Sequence, residues 1–206
     1  TGVQTCALPI CMIGVGAAVK QAVEATLTVA PSNTNLGIVL LLTPLAAVPA
    51  ELSLAEGIGA VLDGLSVDDA RYVYAAIRSA NPGGMGRVSE QDIAVAPTGT
   101  LRDVMALAAE RDRIARQYVT GFADVLEFAM PRLARANEFE NRWEQAIIRL
   151  HLELLAEIPD SLIARKCGST IADEASRRAR HVLDAGWPDA VGSDQTLDDF
   201  DRWLRG

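Results

Sequence analysis

The stretch Thr100–Tyr118, TLRDVMALAAERDRIARQY, opens on a threonine followed three residues later by an aspartate. That spacing lets the Thr100 hydroxyl accept from the backbone N–H of residue 103 while Asp103 reaches back, so two donors at a helix start are satisfied together. Beyond it, Leu101, Val104, Met105, Ala108, Ala115 and Val119 recur at helical spacing. The spacing predicts a helix over 100–130, broken near Gly121, with one apolar face.

The same signature recurs outward from this stretch. Ser53/Glu56, Ser66/Asp69, Thr170/Asp173 and Thr196/Asp199 repeat the Ser/Thr-to-acid interval. Helices are expected over 14–29, 36–48, 53–63, 67–79, 132–136, 139–157, 170–185 and 197–204. Gly186 and Pro188 supply a stop after the 170–185 segment. No run alternates apolar and polar residues as a half-buried strand does. The expectation is an all-α protein forming one multi-helix globular domain over residues 11–206. Thr1–Ile10, TGVQTCALPI, resembles a translated sequencing-adapter oligonucleotide and is expected to be a non-native leader that packs against nothing.

Composition narrows the function. The chain has 206 residues, half of them hydrophobic, and a formal charge of -8. An acidic chain of this kind is not a nucleic-acid or anionic-membrane binder acting through bulk charge. Ala25–Ala50 has no charged residue, yet Pro31, Pro44, Pro49 and the polar 32–35 loop interrupt it, so no membrane span is expected. Cys6, Cys11 and Cys167 form neither a disulfide framework nor a zinc spacing, which makes a reducing cytoplasm the expected setting.

Four loci carry candidate chemistry. Asp112 falls in the middle of the predicted apolar face, with Arg111 beside it. A carboxylate aimed into a core is costly unless it is paired or ligated. The pattern leaves open a structural Arg111–Asp112 association, a contact with a helix terminus, or a site acid or metal ligand. Ser32-Asn33-Thr34-Asn35 precedes an apolar helix whose N-terminal N–H groups could take an anion or ribose hydroxyls; a well-capped core helix is the alternative. Arg78 precedes Asn81-Pro82-Gly83-Gly84-Met85-Gly86, glycines that let backbone approach a phosphate, or a simple turn. Asp160, five residues before Arg165-Lys166, could hold magnesium beside a phosphate, or cap a surface turn. His151 reads as a core histidine near Ile147 and Leu154, and His181 as solvent-facing.

Taken together, SNTNLG at 32–37, YAAIRSANPGGMG at 74–86, TLRDVMALAAERDRIARQY at 100–118 and DSLIARKCG at 160–168 resemble the triphosphoribosyl-dephospho-CoA synthase family, over roughly 14–204. The resemblance implies an all-helical transferase. The 2′-hydroxyl of dephospho-CoA attacks C1′ of the ATP ribose and adenine leaves, giving the prosthetic-group precursor of the acyl carriers of citrate lyase or malonate decarboxylase. On that resemblance Asp112 and Asp160 are the catalytic acids, Asn33, Asn35, Arg78 and Arg165 hold ATP, and Asp160 meets an expected Mg²⁺.

The sequence departs from the family pattern. Asn35-Leu36-Gly37 stands where His-Lys-Gly is usual, and Arg165-Lys166-Cys167-Gly168 where Arg-Gly-Gly is usual. An upstream Lys-Pro-Gly segment is missing, and the chain stops at Trp203-Leu204-Arg205-Gly206 where members continue, so truncation at both ends is expected. These departures leave open a different acceptor, a non-catalytic helical nucleotide-binding module, or a hydrolase that passes the anomeric carbon to water. The sequence sets no oligomeric state.

Overall fold

The computed structural model describes residues 13–30, 35–80, 95–136 and 142–206. The reading of Thr1–Ile10 as a leader, the site residue Asn33 and the glycine run 83–86 lie outside the described residues. Eleven α-helices, and no strand, make up the regular structure of the described residues, together with one π-helical segment, so the all-α expectation is met. They are α1 (Val15–Val29), α2 (Leu36–Ala46), α3 (Leu54–Asp63), α4 (Val67–Ala80), α5 (Leu101–Ala106), α6 (Arg113–Thr120), α7 (Met130–Ala136), α8 (Trp143–Glu157), α9 (Ser161–Cys167), α10 (Ser169–Asp184) and α11 (Ser193–Arg205). They group into two compact units, one ending at Phe122 and one beginning at Ala123.

Three of the predicted capping boxes form. Ser53, Ser66 and Thr100 each accept from the amide three residues on, and Glu56, Asp69 and Asp103 each accept in return. The Ser53 hydroxyl and amide hold the Glu56 carboxyl below its ordinary range, and the Thr100 hydroxyl and amide do the same to Asp103. The two boxes predicted at Thr170 and Thr196 do not form. Gly168 and Gly192, both at positive φ, start α10 and α11 earlier, at Ser169 and Ser193. Asp199 instead pairs with Arg202 at 2.9 Å.

The predicted 100–130 helix is three pieces. α5 stops at Ala106, and i→i−3 bonds such as Ala108 N–H to the Met105 carbonyl turn the chain. α6 then starts at Arg113 because Asp112 takes its first free N–H groups. Gly121 adopts the left-handed conformation that ends α6, and Phe122 follows with φ 63, fully buried against Tyr118. The π-helical segment Asp124–Ala129 comes next. Val119 is consequently exposed rather than on one continuous buried face with Leu101, Val104 and Met105.

In the first unit, Val15, Val19 and Val23 of α1 pack along Ala70, Val73 and Ala80 of α4. α2 carries Pro44, which has no N–H, so the Leu40 carbonyl one turn earlier loses its helical donor. The fully buried Tyr118 hydroxyl of α6 donates to that carbonyl at 2.7 Å. Burial first, and the Asp69 charge second, push the Tyr118 phenol up, so it remains a donor well into alkali.

The second unit has its own core. Leu152 and Leu155 of α8, Ala175, Ala179 and Val182 of α10, Trp187 and Phe200 of α11 are buried together. Trp187 Nε1–H donates to Asp194, and the Arg149 guanidinium donates to the Trp187 carbonyl. His151 is exposed on α8, not in this core as the sequence suggested. Leu152 and Leu155 take the buried side of the helix, while Ile147, on the His151 side, is itself 47% exposed. His181 is exposed, as expected.

Two outcomes follow. Tyr118→Phe leaves the Leu40 carbonyl buried without its donor and lowers stability by about 1–3 kcal/mol in urea unfolding. In a Pro44→Ala background, where residue 44 regains an N–H, the same change costs clearly less. Glu56 and Asp103 have lowered carboxyl pKa values, so their contribution is present above the ordinary carboxylate range and lost as pH falls through the lowered values. Ser53→Ala with Thr100→Ala therefore flattens the acid limb of the stability–pH curve, measured below pH ~4.

Candidate functional site

One carboxylate arranges the first unit. Asp69 Oδ2 accepts from the Ser66 amide at 2.8 Å and from its hydroxyl at 2.7 Å, at the start of α4. Asp69 Oδ1 accepts from the Gly16 amide at 2.7 Å, at the start of α1. The helices touch through backbone there, since a Cβ on Gly16 would lie 2.4 Å from the Asp69 Cα. With their N-termini joined and their buried stripes packed together, α1 and α4 run parallel. Thr26 is ten residues beyond Gly16 and Arg78 nine beyond Asp69. At 1.5 Å per residue both lie about 14–15 Å from the shared start, at the same end of the pair.

A second parallel pair delivers its N-termini to that end. The Asn35 side-chain amide, at the start of α2, donates to Thr26 Oγ1 of α1 at 2.7 Å. Gly37 lies against Ile114 of α6: a Cβ there would be 2.9 Å from Ile114 Cδ1. Four residues on, Tyr118 meets Leu40. So α2 and α6 run side by side with Asn35 and Asp112 at matching ends. Asp112 Oδ1 accepts from the Ile114 amide at 2.9 Å and the Ala115 amide at 3.1 Å. The sequence had placed Asp112 inside an apolar face. The structure makes it a half-buried N-cap, the helix-terminus contact that was one of its three readings.

The first unit thus brings three sequence-predicted residues to one end. Half-buried Asn35 opens α2, half-buried Asp112 opens α6, and exposed Arg78 sits in the last turn of α4. The start of α2 presents backbone amides that can meet an anion, while at the start of α6 Asp112 already takes the Ile114 and Ala115 amides. An oriented carboxylate beside them can meet developing positive charge or a hydroxyl proton.

The second unit holds the other predicted residues. Asp160 caps α9, accepting from the Ile163 amide at 2.8 Å, and exposed Arg165 lies in the last turn of that same helix. The sequence had assigned no helix here; Asp160 starts one. Among the described residues, no group of three or more His, Cys, Asp or Glu is placed to hold a metal ion.

Sequence reasoning read Asp69 only as the far half of a capping box. Its second oxygen binds a helix start 53 residues away, and no local pattern reports that. The signal that could have suggested it is Gly14-Val15-Gly16, a helix start with no side-chain cap of its own.

The profile of the CitG family, described as ATP:dephospho-CoA triphosphoribosyl transferase, matches residues 2–206. The chain belongs to that family and is a transferase. Its fold is similar to the crystal structure of a protein from Archaeoglobus fulgidus named as a triphosphoribosyl-dephospho-CoA synthase. The TM-score is 0.73 at 23% identity, covering 96% of this chain and 83% of that one. No curated protein matches the chain by sequence. No helix among the described residues is long and apolar enough to cross a membrane.

The capping role has a stability readout of its own. Asp112→Ala removes the acceptor for two amides and costs about 0.5–2 kcal/mol in chemical denaturation. Asp112→Asn keeps a side-chain oxygen and costs only a few tenths of that range.

Proposed function

We propose that the chain transfers the 5-triphosphoribosyl group of ATP to the 2′-hydroxyl of dephospho-CoA, releasing adenine. The family match over residues 2–206 carries this reading. The gathered ends of α2, α4 and α6 support it, because they supply the charge and polarity that a triphosphate-bearing ribose needs.

In the transfer, the acceptor oxygen forms a bond to C1′ while the C1′–N9 bond breaks. Adenine leaves with the electron pair, and the hydroxyl proton passes through a carboxylate to the departing base. C1′ carries positive charge on the way. We assign Asp112 to that charge and proton: the Ile114 and Ala115 amides fix one of its oxygens, so the carboxylate points in one direction without spending binding energy to orient it. Arg78 and the α2 amides are the triphosphate contacts. Asn35 is the ribose or phosphate contact of the α2 end. In the second unit, Asp160 and Arg165 offer a carboxylate and a guanidinium to a Mg²⁺-bound phosphate. A single protein carboxylate suits that role, since Mg²⁺ keeps waters and phosphate oxygens as its other ligands and supplies charge neutralisation. The product would serve as the prosthetic-group precursor of an acyl carrier protein.

The replacement of His-Lys-Gly by Asn35-Leu36-Gly37 favours one specific second reading, a family relative that uses a different acceptor. Adenine release decides between them. With ATP and dephospho-CoA together, adenine should appear in step with a product heavier by the triphosphoribosyl group. Adenine equal in amount with and without dephospho-CoA would show transfer to water and overturn the proposal. Adenine only with another hydroxyl acceptor would support the second reading. Asp112→Asn should lower kcat by about 10²-fold or more with little change in KM for ATP.

A further inference from the structure

We propose that Asp69 is a positioning residue for this transfer: by tying the starts of α1 and α4 together it sets the register that places Arg78 level with Asn35. The inference rests on the reading of Arg78 as a triphosphate contact. Asp69 is far from that end, so it acts through the two helices and not by touching a ligand.

Three observations carry it. Both carboxylate oxygens are engaged by different helices, Oδ1 by the Gly16 amide at 2.7 Å and Oδ2 by the Ser66 amide and hydroxyl at 2.8 and 2.7 Å. A sliding of α1 along α4 by one residue would therefore break a charge-assisted bond. The approach admits no spacer, because any side chain on Gly16 would meet Asp69 backbone. Finally, α1 passes its position on to the site: Thr26 receives the Asn35 amide and itself donates to the Ala22 carbonyl at 3.0 Å. An error at the start of α1 is thus delivered to the start of α2 and to its spacing from Arg78.

A residue that merely stabilised the fold would lower the fraction of active enzyme and leave KM alone. A residue that sets the Arg78–Asn35 spacing should change KM for ATP selectively. Asp69→Asn is expected to raise KM for ATP about tenfold, leaving KM for dephospho-CoA and kcat per folded molecule within about twofold. In an Arg78→Ala background the same change should add less than about twofold, because the group it positions is gone. Ser66→Ala, which keeps the Asp69–Gly16 bond, should lower thermal stability without moving KM for ATP. Should Asp69→Asn fail to fold, Gly16→Ala perturbs the same register with the carboxylate intact, and the same selective rise is expected. The proposal is overturned if either folded variant keeps the wild-type KM for ATP, if both substrates' KM values rise together, or if the Asp69 and Arg78 effects simply multiply. If Arg78→Ala leaves KM for ATP unchanged, the reading of Arg78 as a triphosphate contact fails and the Asp69 proposal falls with it; a raised KM in Arg78→Ala with an unchanged KM in Asp69→Asn overturns the Asp69 proposal alone.

Discussion

The first unit depends on one carboxylate shared by two helix starts. Each helix presents N–H groups that its own backbone cannot satisfy, and burying them unpaired is costly. Asp69 meets both needs at once, giving one oxygen to α4, which carries it, and the other to α1. The charge is stabilised by both dipoles, and Gly16 lets the backbones close on it. Other contacts of the first unit run on from it. α1 holds Asn35 through Thr26, Asn35 opens α2, and α2 is pinned to α6 where Tyr118 replaces the donor that Pro44 lacks.

Local chemistry was legible in the sequence wherever it acted over three or four residues. The boxes at Ser53, Ser66 and Thr100 and the stop at Gly121 are written in side chains adjacent along the chain, and they formed. Thr170 and Thr196 misled because glycines upstream, at 168 and 192, offered the chain an earlier turn into a helix. Asp112 misled for a related reason. Helical periodicity assumes an unbroken helix, and an aspartate able to cap can break the helix that the periodicity assumes. His151 was placed by a face too broad to define one buried side.

The site was legible only in part. Asn35, Arg78 and Asp112 could be chosen from residue type and motif, but that they share an end is a matter of helix direction. Direction followed from contacts between residues tens of positions apart, Gly16 with Asp69 and Gly37 with Ile114. Asp160 caps and Arg165 ends one short helix of the second unit, α9, where sequence periodicity predicts none.

Helix starts, rather than a dense cluster of acids, are what the proposed site of the first unit would offer to a phosphorylated ligand. That fits a reaction whose reactant carries its negative charge on the triphosphate and develops positive charge at one carbon. The most direct test is an NMR titration of the protein with ATP, following the backbone amides of Gly37 and Ile114. If the ends of α2 and α6 receive the triphosphate, both amides shift together and saturate at one ATP concentration. Unmoved Gly37 and Ile114 amides at an ATP concentration that saturates adenine release would contradict it.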